Sequence, residues 1–318
     1  MNRFLSQLDA SLRNGFGRLR PSFVAPHVDY VLSREVEPGG FAGRRGGADI
    51  YYTDFALRVL VANGGPREAA HRCVPLLEAA VRRDPFDATK LFNRSNALRS
   101  LAAFDLSPDS NIMDLKEKNF VDFDTLAETF FYDHRSPGAY DLFLLSLCGE
   151  QVTGHPFRHA KTEPMLHTLE CPGGGFSERP AADGPQTNAT AACLATAWMA
   201  GIEDTIDRPG AVDYLSSMQS IDGGFRAHAG IPHGDLLTTF SVLALQCVTG
   251  HPIVARPADL ARFVRSARHG GGGFGACPGD APDIEFTWYG LASTALLRAQ
   301  ADGDALGNRQ TTSSDTHS

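Results

Sequence analysis

The sequence predicts an all-α protein, an α/α toroid with six inner and six outer helices built from six two-helix repeats. Three observations lead there. A Gly-Gly-Phe element recurs in four segments: EPGGFAGRRGGADIYYTDFALRVL, PGGGFSERPAADGPQTNATAACLATA, DGGFRAHAGIPHGDLLTTFSVLAL and GGGFGACPGDAPDIEFTWYGLASTAL. Each runs into a helix that is apolar nearly all round, as a helix buried on both sides must be. These helices keep one register at a period of roughly 40–50 residues, the range of repeat architectures.

The register fixes each element in turn. Residues 1–23 form a helical extension with Phe4, Leu5, Leu8 and Leu12 on one stripe, read as an amphipathic helix capping the domain. A transit or membrane-surface segment is the competing reading; Asp9 and the lack of a long apolar run argue against a signal peptide. The toroid spans 24–300. Its inner helices start near Asp49, Lys90, Ala139, Gln186, Asp235 and Asp283, the second and third being weaker copies. Four residues past the anchor stands Thr53, Thr190, Thr239 or Thr287 in the clear copies. Seven past it come Ala56, Ala97, Ser146, Cys193, Val242 and Gly290, modest side chains that let helices approach; eight past it stand Leu57, Leu98, Leu147, Leu194, Leu243 and Leu291, which fill the core. VTGHP occurs at Val152 and Val248, and VDY precedes a GGF element at Val28 and Val212. An open HEAT-like solenoid has a similar period. Six repeats, with a GGF loop inside each clear helix pair, favour closure. From Gly303 the chain turns polar, so 301–318 is expected to be a disordered tail.

Composition limits the function. With 42% apolar residues and a net charge of −8, the chain has a core to bury and no basic run for a phosphate backbone, so nucleic acid is not expected as a partner. Six scattered cysteines without a C-x-x-C pair suggest neither a zinc ribbon nor a disulfide framework and point to a reducing, cytoplasmic setting. No apolar stretch is long enough for a transmembrane helix.

The GGF, Arg-Pro and D-x-x-x-T pattern resembles the β subunits of protein prenyltransferases, the Rab geranylgeranyltransferase type above all, and more distantly the squalene and oxidosqualene cyclases, over roughly residues 24–300. The resemblance implies an isoprenoid or other hydrophobic small molecule as ligand, and it allows a helical partner subunit. It also implies zinc, held by an Asp and a Cys at the start of the fifth inner helix and a His at the sixth. Asp235 matches, but Leu237 and Phe286 stand where thiolate and imidazole are needed, so no metal site is expected; magnesium stays open. The implied diphosphate clamp falls on Pro185 and on His228, with His233 nearby and Arg179 and Arg226 as further phosphate contacts. In the cyclases an acidic D-x-D-D-T motif protonates an alkene. Here PDIEFT puts Asp283 at the first acidic position, Glu285 at the catalytic one, and Phe286 in place of the last Asp. Phe286 and Asp283 are expected to raise the Glu285 pKa, with Thr287 orienting the pair.

Inner-helix starts converge on one mouth, so Asp49, Tyr51, Tyr52, Gln186, Asn188, Asp235, Asp283 and Glu285 are expected to line it, with Phe143, Phe240 and Trp288 deeper. Glu285, Asp283 and Asp235 are the catalytic candidates. The others, together with Arg226, His228 and His233, are candidates for substrate binding. The classes left open are an isoprenoid-processing enzyme without the family zinc, a cyclase-like enzyme with Glu285 as general acid, a non-catalytic lipid-binding toroid, and a glycosidase using Asp235 and Asp283 as a carboxylate pair.

Overall fold

The computed structural model describes residues 2–83, 87–105, 110–132, 137–180 and 184–312. The inner helices are α3 (Ile50–Ala62), α6 (Ala88–Ala103), α8 (Ala139–Thr153), α10 (Thr187–Ala200), α12 (Leu236–Thr249) and α14 (Ile284–Thr312). The outer ones are α2 (Pro21–Leu32), α5 (Val74–Arg83), which short α4 (Arg67–Arg72) precedes, α7 (Ser110–Thr129), α9 (Thr162–Leu169), α11 (Arg208–Ser217) and α13 (Pro257–Ser266). Each inner helix packs on the next, and α14 returns to α3. That last contact closes the ring and excludes the open solenoid. Among the described residues the only β structure is isolated bridges, and no helix is long and apolar enough to cross a membrane.

The GGF loops show why the motif repeats. In each clear copy the Phe is fully buried and its N–H donates to the Thr hydroxyl of the following inner helix: Phe41 to Thr53 (3.0 Å), Phe176 to Thr190 (2.9 Å), Phe225 to Thr239 (3.0 Å) and Phe274 to Thr287 (3.1 Å). The Phe also bridges back to the end of the outer helix, pairing with Glu35, Glu170, Gln219 or Arg268. Gly40, Gly174, Gly223 and Gly272 hold φ of 98°, 101°, 102° and 99°, a region closed to most side chains. The glycine two positions before each Phe, Gly39, Gly174, Gly223 or Gly272, lies against the next outer segment: a Cβ on Gly39 would lie 1.9 Å from the Arg72 carbonyl oxygen of α4, one on Gly223 2.4 Å from that of Asp259 in α13, and one on Gly272 2.0 Å from that of Pro26 in α2. The sixth loop thus closes the outer ring onto the first repeat. The VDY tyrosines do the same work: Tyr214 donates to the Pro185 carbonyl (2.7 Å), and Tyr30 to that of Pro282 (2.8 Å). VTGHP supplies the left-handed glycines that end α8 and α12, Gly154 and Gly250.

Two expectations are adjusted. The second inner helix is capped by Asp87, which accepts from the Lys90 N–H at 2.8 Å, so it begins nearly a turn before Lys90. Four past Lys90 stands Arg94, paired with Asn119 (2.6 Å) and Asp122 (2.7 Å) of α7. The backbone of α14 continues as helix past Gly303 to Thr312, and residues 313–318 lie outside the described residues.

The first helix, α1 (Phe4–Phe16), caps the domain at one end of the ring, as its apolar stripe suggests. It enters the ring at the C-terminal ends of the inner helices and packs on α8, α12 and α14. It has no side-chain cap of its own; instead the Glu150 carboxylate of α8 accepts from the N–H groups of Leu5 (3.0 Å) and Ser6 (2.9 Å) and from the Ser6 hydroxyl (3.0 Å). An anion at a helix N-terminus is stabilised by the helix dipole. Gly15 lies so close to α14 that a Cβ would fall 2.0 Å from the Ala295 carbonyl oxygen.

Thr239→Val keeps the shape of the buried side chain and leaves the Phe225 N–H without its acceptor. Urea unfolding should show a loss of about 1–3 kcal/mol; an unchanged midpoint would deny the hydrogen bond a role in stability.

Candidate functional site

The ring encloses a cavity of about 910 Å³ that runs from the first turns of the inner helices to α1. Its wall is largely apolar, with aromatic rings from five of the six inner helices. Tyr51 and Phe55 come from α3, Phe92 from α6, Tyr140 and Phe143 from α8, Phe240 from α12, and Trp288 and Tyr289 from α14. The rings form a connected surface, with centroids 5.1 Å apart for Tyr51 and Phe55, 5.3 Å for Phe55 and Tyr289, and 5.2 Å for Phe240 and Tyr289. Such a wall suits an apolar chain, and the negative faces of the rings suit a cation.

At the upper end Glu285 reaches the cavity from the first turn of α14. Its pKa is raised, chiefly because burial disfavours the carboxylate; the Asp283 and Asp235 charges add to this, while the neighbouring Tyr51 hydroxyl and the Arg44 charge oppose it. Burial and the Glu285 charge hold the Tyr51 pKa up in turn. The upward shift and its two expected causes, burial and the Asp283 charge, therefore agree with expectation; the role expected of Thr287 does not. Thr287 does not orient the pair, since its hydroxyl accepts from Phe274 and donates to the Asp283 backbone carbonyl at 2.6 Å.

Of the candidates named from sequence, Tyr51, Asn188, Phe143, Phe240, Trp288 and Glu285 line this one cavity. Tyr52 and Asp283 sit beside it at the rim with Glu285 and Phe286, and Asp49 edges a neighbouring groove while capping α3 through the Tyr52 N–H (2.8 Å). The others do not join them. Gln186 is exposed. Asp235 caps α12, one oxygen accepting from the Thr238 N–H (2.8 Å) and the other from its hydroxyl (2.7 Å). His228 is exposed and accepts from the Gly230 N–H (3.1 Å), and His233 is exposed 3.9 Å from Asp222. Arg226 is tied to the carbonyls of Ala229 and Ser217 at 3.5 Å.

Sequence reasoning missed several groups. Arg44, in the first loop, reaches Asp283 at the seam where α14 meets α3, with Nε 3.2 Å from Oδ2; only ring closure brings them together. Arg58 and Asp54 form an ion pair in the wall, with Asp54 fully buried. The guanidinium carbon lies 4.8 Å from the Phe55 centroid, 5.4 Å from Phe92 and 5.9 Å from Trp288. An Asp and an Arg one turn apart in an otherwise apolar helix were the available signal, because buried charges must be paired.

The residues do not fit the zinc that the resemblance implies. Both Asp235 oxygens are engaged, Leu237 lines the cavity with its apolar side chain, and Phe286 packs 6.4 Å from Tyr289. Cys277, in the adjoining loop, has its thiol pKa pushed up to about 11 by burial and by the Asp280, Asp235 and Asp222 charges, so it supplies no ready thiolate. Among the described residues no three His, Cys, Asp or Glu side chains converge as a metal site.

Six helix pairs around a cavity make the fold an α/α toroid. The family model described as prenyltransferase alpha-alpha toroid domain matches residues 140–316, more than half of the chain, and the protein belongs to that family. Among solved structures it is similar to Candida albicans protein geranylgeranyltransferase-I complexed with GGPP, at 12% identity and a TM-score of 0.65, over 87% of this chain and 92% of that one. It is also similar to a protein from Actinoplanes, at 16% identity and a TM-score of 0.50, over 92% and 99% of the two chains. At these identities the likeness is one of fold. No curated protein sequence matches the chain.

Purified protein should carry no stoichiometric zinc by elemental analysis. About one zinc per chain, lost in Asp235→Ala, would show that Asp235 leaves Thr238 to take up a metal.

Proposed function

We infer that this protein is an isoprenoid-processing enzyme that works without the family zinc, and that Glu285 is its general acid. The observation that carries the reading is a partly buried carboxyl group with a raised pKa at the head of an apolar cavity studded with aromatic rings. Protonating an alkene requires a carboxylic acid kept neutral by burial, with no water to compete for the proton. Glu285 would give its proton to the terminal double bond, whose electron pair forms the new C–H bond and leaves a tertiary carbocation. The rings of Tyr289 and Phe240 would stabilise that charge while further double bonds close on it; the last cation would lose a proton to solvent water, and the Glu285 carboxylate would regain one from solvent. Tyr51, whose hydroxyl lies beside Glu285, would donate to the carboxylate left behind and stabilise it. Arg44 keeps Asp283 paired at the rim. Support for an isoprenoid also comes from the GGPP complex of the similar Candida albicans enzyme.

In this reading cavity, acid and floor all belong to one chain, so no helical partner subunit is required for chemistry. The six free cysteines fit residence in the cytoplasm. The carboxylate-pair reading has less support, because Asp235 is committed to Thr238 and Asp283 to Arg44. The non-catalytic lipid-binding alternative differs from ours only at Glu285.

Glu285→Gln keeps the shape and removes the acid. Turnover of a polyprenyl substrate should fall by about a hundredfold or more while binding survives. Equal turnover in the variant would reject the acid, and a wild type that binds polyprenyl chains without turning them over would favour the lipid-binding alternative. The wild-type rate should hold at low pH and decline as pH rises through the raised Glu285 pKa, since the protonated form is the donor. A rate that rises over that range would mean the carboxylate acts as a base.

A further inference from the structure

The walls of the cavity come from the repeats, but its foot comes from α1, which lies outside them. Leu8 and Leu12 stand in the middle of the helix stripe that faces the cavity, and both are buried. We propose that α1 is the length stop of the cavity: it sets how many carbons a chain can place below Glu285, and Leu8 and Leu12 are what the far end of the chain meets. The proposal rests on the reading that the reactive end of the chain lies at Glu285.

Three features make α1 a fixed floor. Its N-terminus is held by the Glu150 carboxylate and by the Asn2 side chain, which donates to the Trp198 carbonyl at 2.8 Å. Its C-terminal turn is set against α14 at Gly15, where the backbones are too close for any larger residue. On the side of α6, where the apolar stripe gives way to charge, Asp9 forms an ion pair with Arg99 across the seam. A helix fixed at both ends and along one edge cannot slide to admit a longer chain. The repeat provides no other stop, because a ring of inner helices is open at both ends. Both tryptophans report on this floor: the Phe4 ring lies 6.4 Å from Trp198, and the Phe16 ring 5.9 Å from Trp288.

Linear 1-alkanols of increasing length test the floor on the full chain without calling on any chemistry at Glu285. With a diazirine on the terminal carbon, those long enough to span the cavity should photolabel peptides within residues 4–16 of the wild type. Label confined to the inner helices or to the outer surface at every length would overturn the proposal. In parallel, the longest alkanol that shifts tryptophan fluorescence should grow by about two to three carbons in Leu8→Ala or Leu12→Ala, which vacate that space, and shrink in Leu8→Phe. The same cut-off in folded variants and wild type would also overturn it. If the variants do not fold, the wild-type labelling decides. Failure of every alkanol to bind the wild type would remove both this proposal and the chain-binding reading, whereas an inert Glu285→Gln comparison would leave the floor standing.

Discussion

Six helices packed side by side around a closed ring cannot fill its centre. Neighbouring axes 8–10 Å apart put every axis about 8–10 Å from the middle, and helices with their side chains reach inward only about 5–6 Å, leaving a bore roughly 4–10 Å wide. An apolar bore of that width has to be lined, closed and occupied, and most of the functional features follow from those needs. Bulky rings narrow it, as Phe55, Phe240, Trp288 and Tyr289 do here. One end is partly covered by a helix that the repeat does not encode, packed on α8, α12 and α14. The remaining space has the size and lining of a chain-binding cavity.

The position of the acid follows from the loops. Each Phe-to-Thr hydrogen bond fixes a loop to the first turn of the next inner helix, and so fixes where that turn projects its side chains. In the sixth repeat Thr287 is the locked residue, and Glu285, two positions before it, reaches the cavity. Asp283 in the same turn is drawn away by Arg44 and by the Glu285 N–H, which it accepts at 3.0 Å. Two acids close in sequence thus receive different environments: one an exposed cation, the other an aromatic wall and a phenol.

Much of the fold was legible because it depends on periodicity. The threonine and leucine registers placed the six inner helices, and the glycines and buried Phe of GGF told of a tight loop. The second repeat was misjudged by nearly a turn because Lys90, the first polar residue past the apparent start, is not the cap; Asp87 is. The site was legible only in part. Residues on the cavity face of an inner helix, such as Tyr51, Phe240 and Glu285, can be read from register alone. Those whose meaning depends on distant partners cannot: nothing near Arg44 or Glu150 in sequence points to Asp283 or to α1, and an N-cap such as Asp235 looks the same in sequence whether it serves backbone or metal. The stripe of α1 announced an amphipathic helix. That its apolar face lies inside the ring depends on which end of the bore lacked a cover.

The central claim is that the cavity holds an extended chain with its reactive end at Glu285 and its far end on α1. A crystal structure of the protein with a polyprenyl diphosphate tests this most directly. The account expects density along the aromatic wall from the first turn of α14 down to Leu8 and Leu12, with α1 still seated against Gly15 and Ala295. Ligand bound outside the ring, or a chain that displaces α1 and passes through, would contradict it.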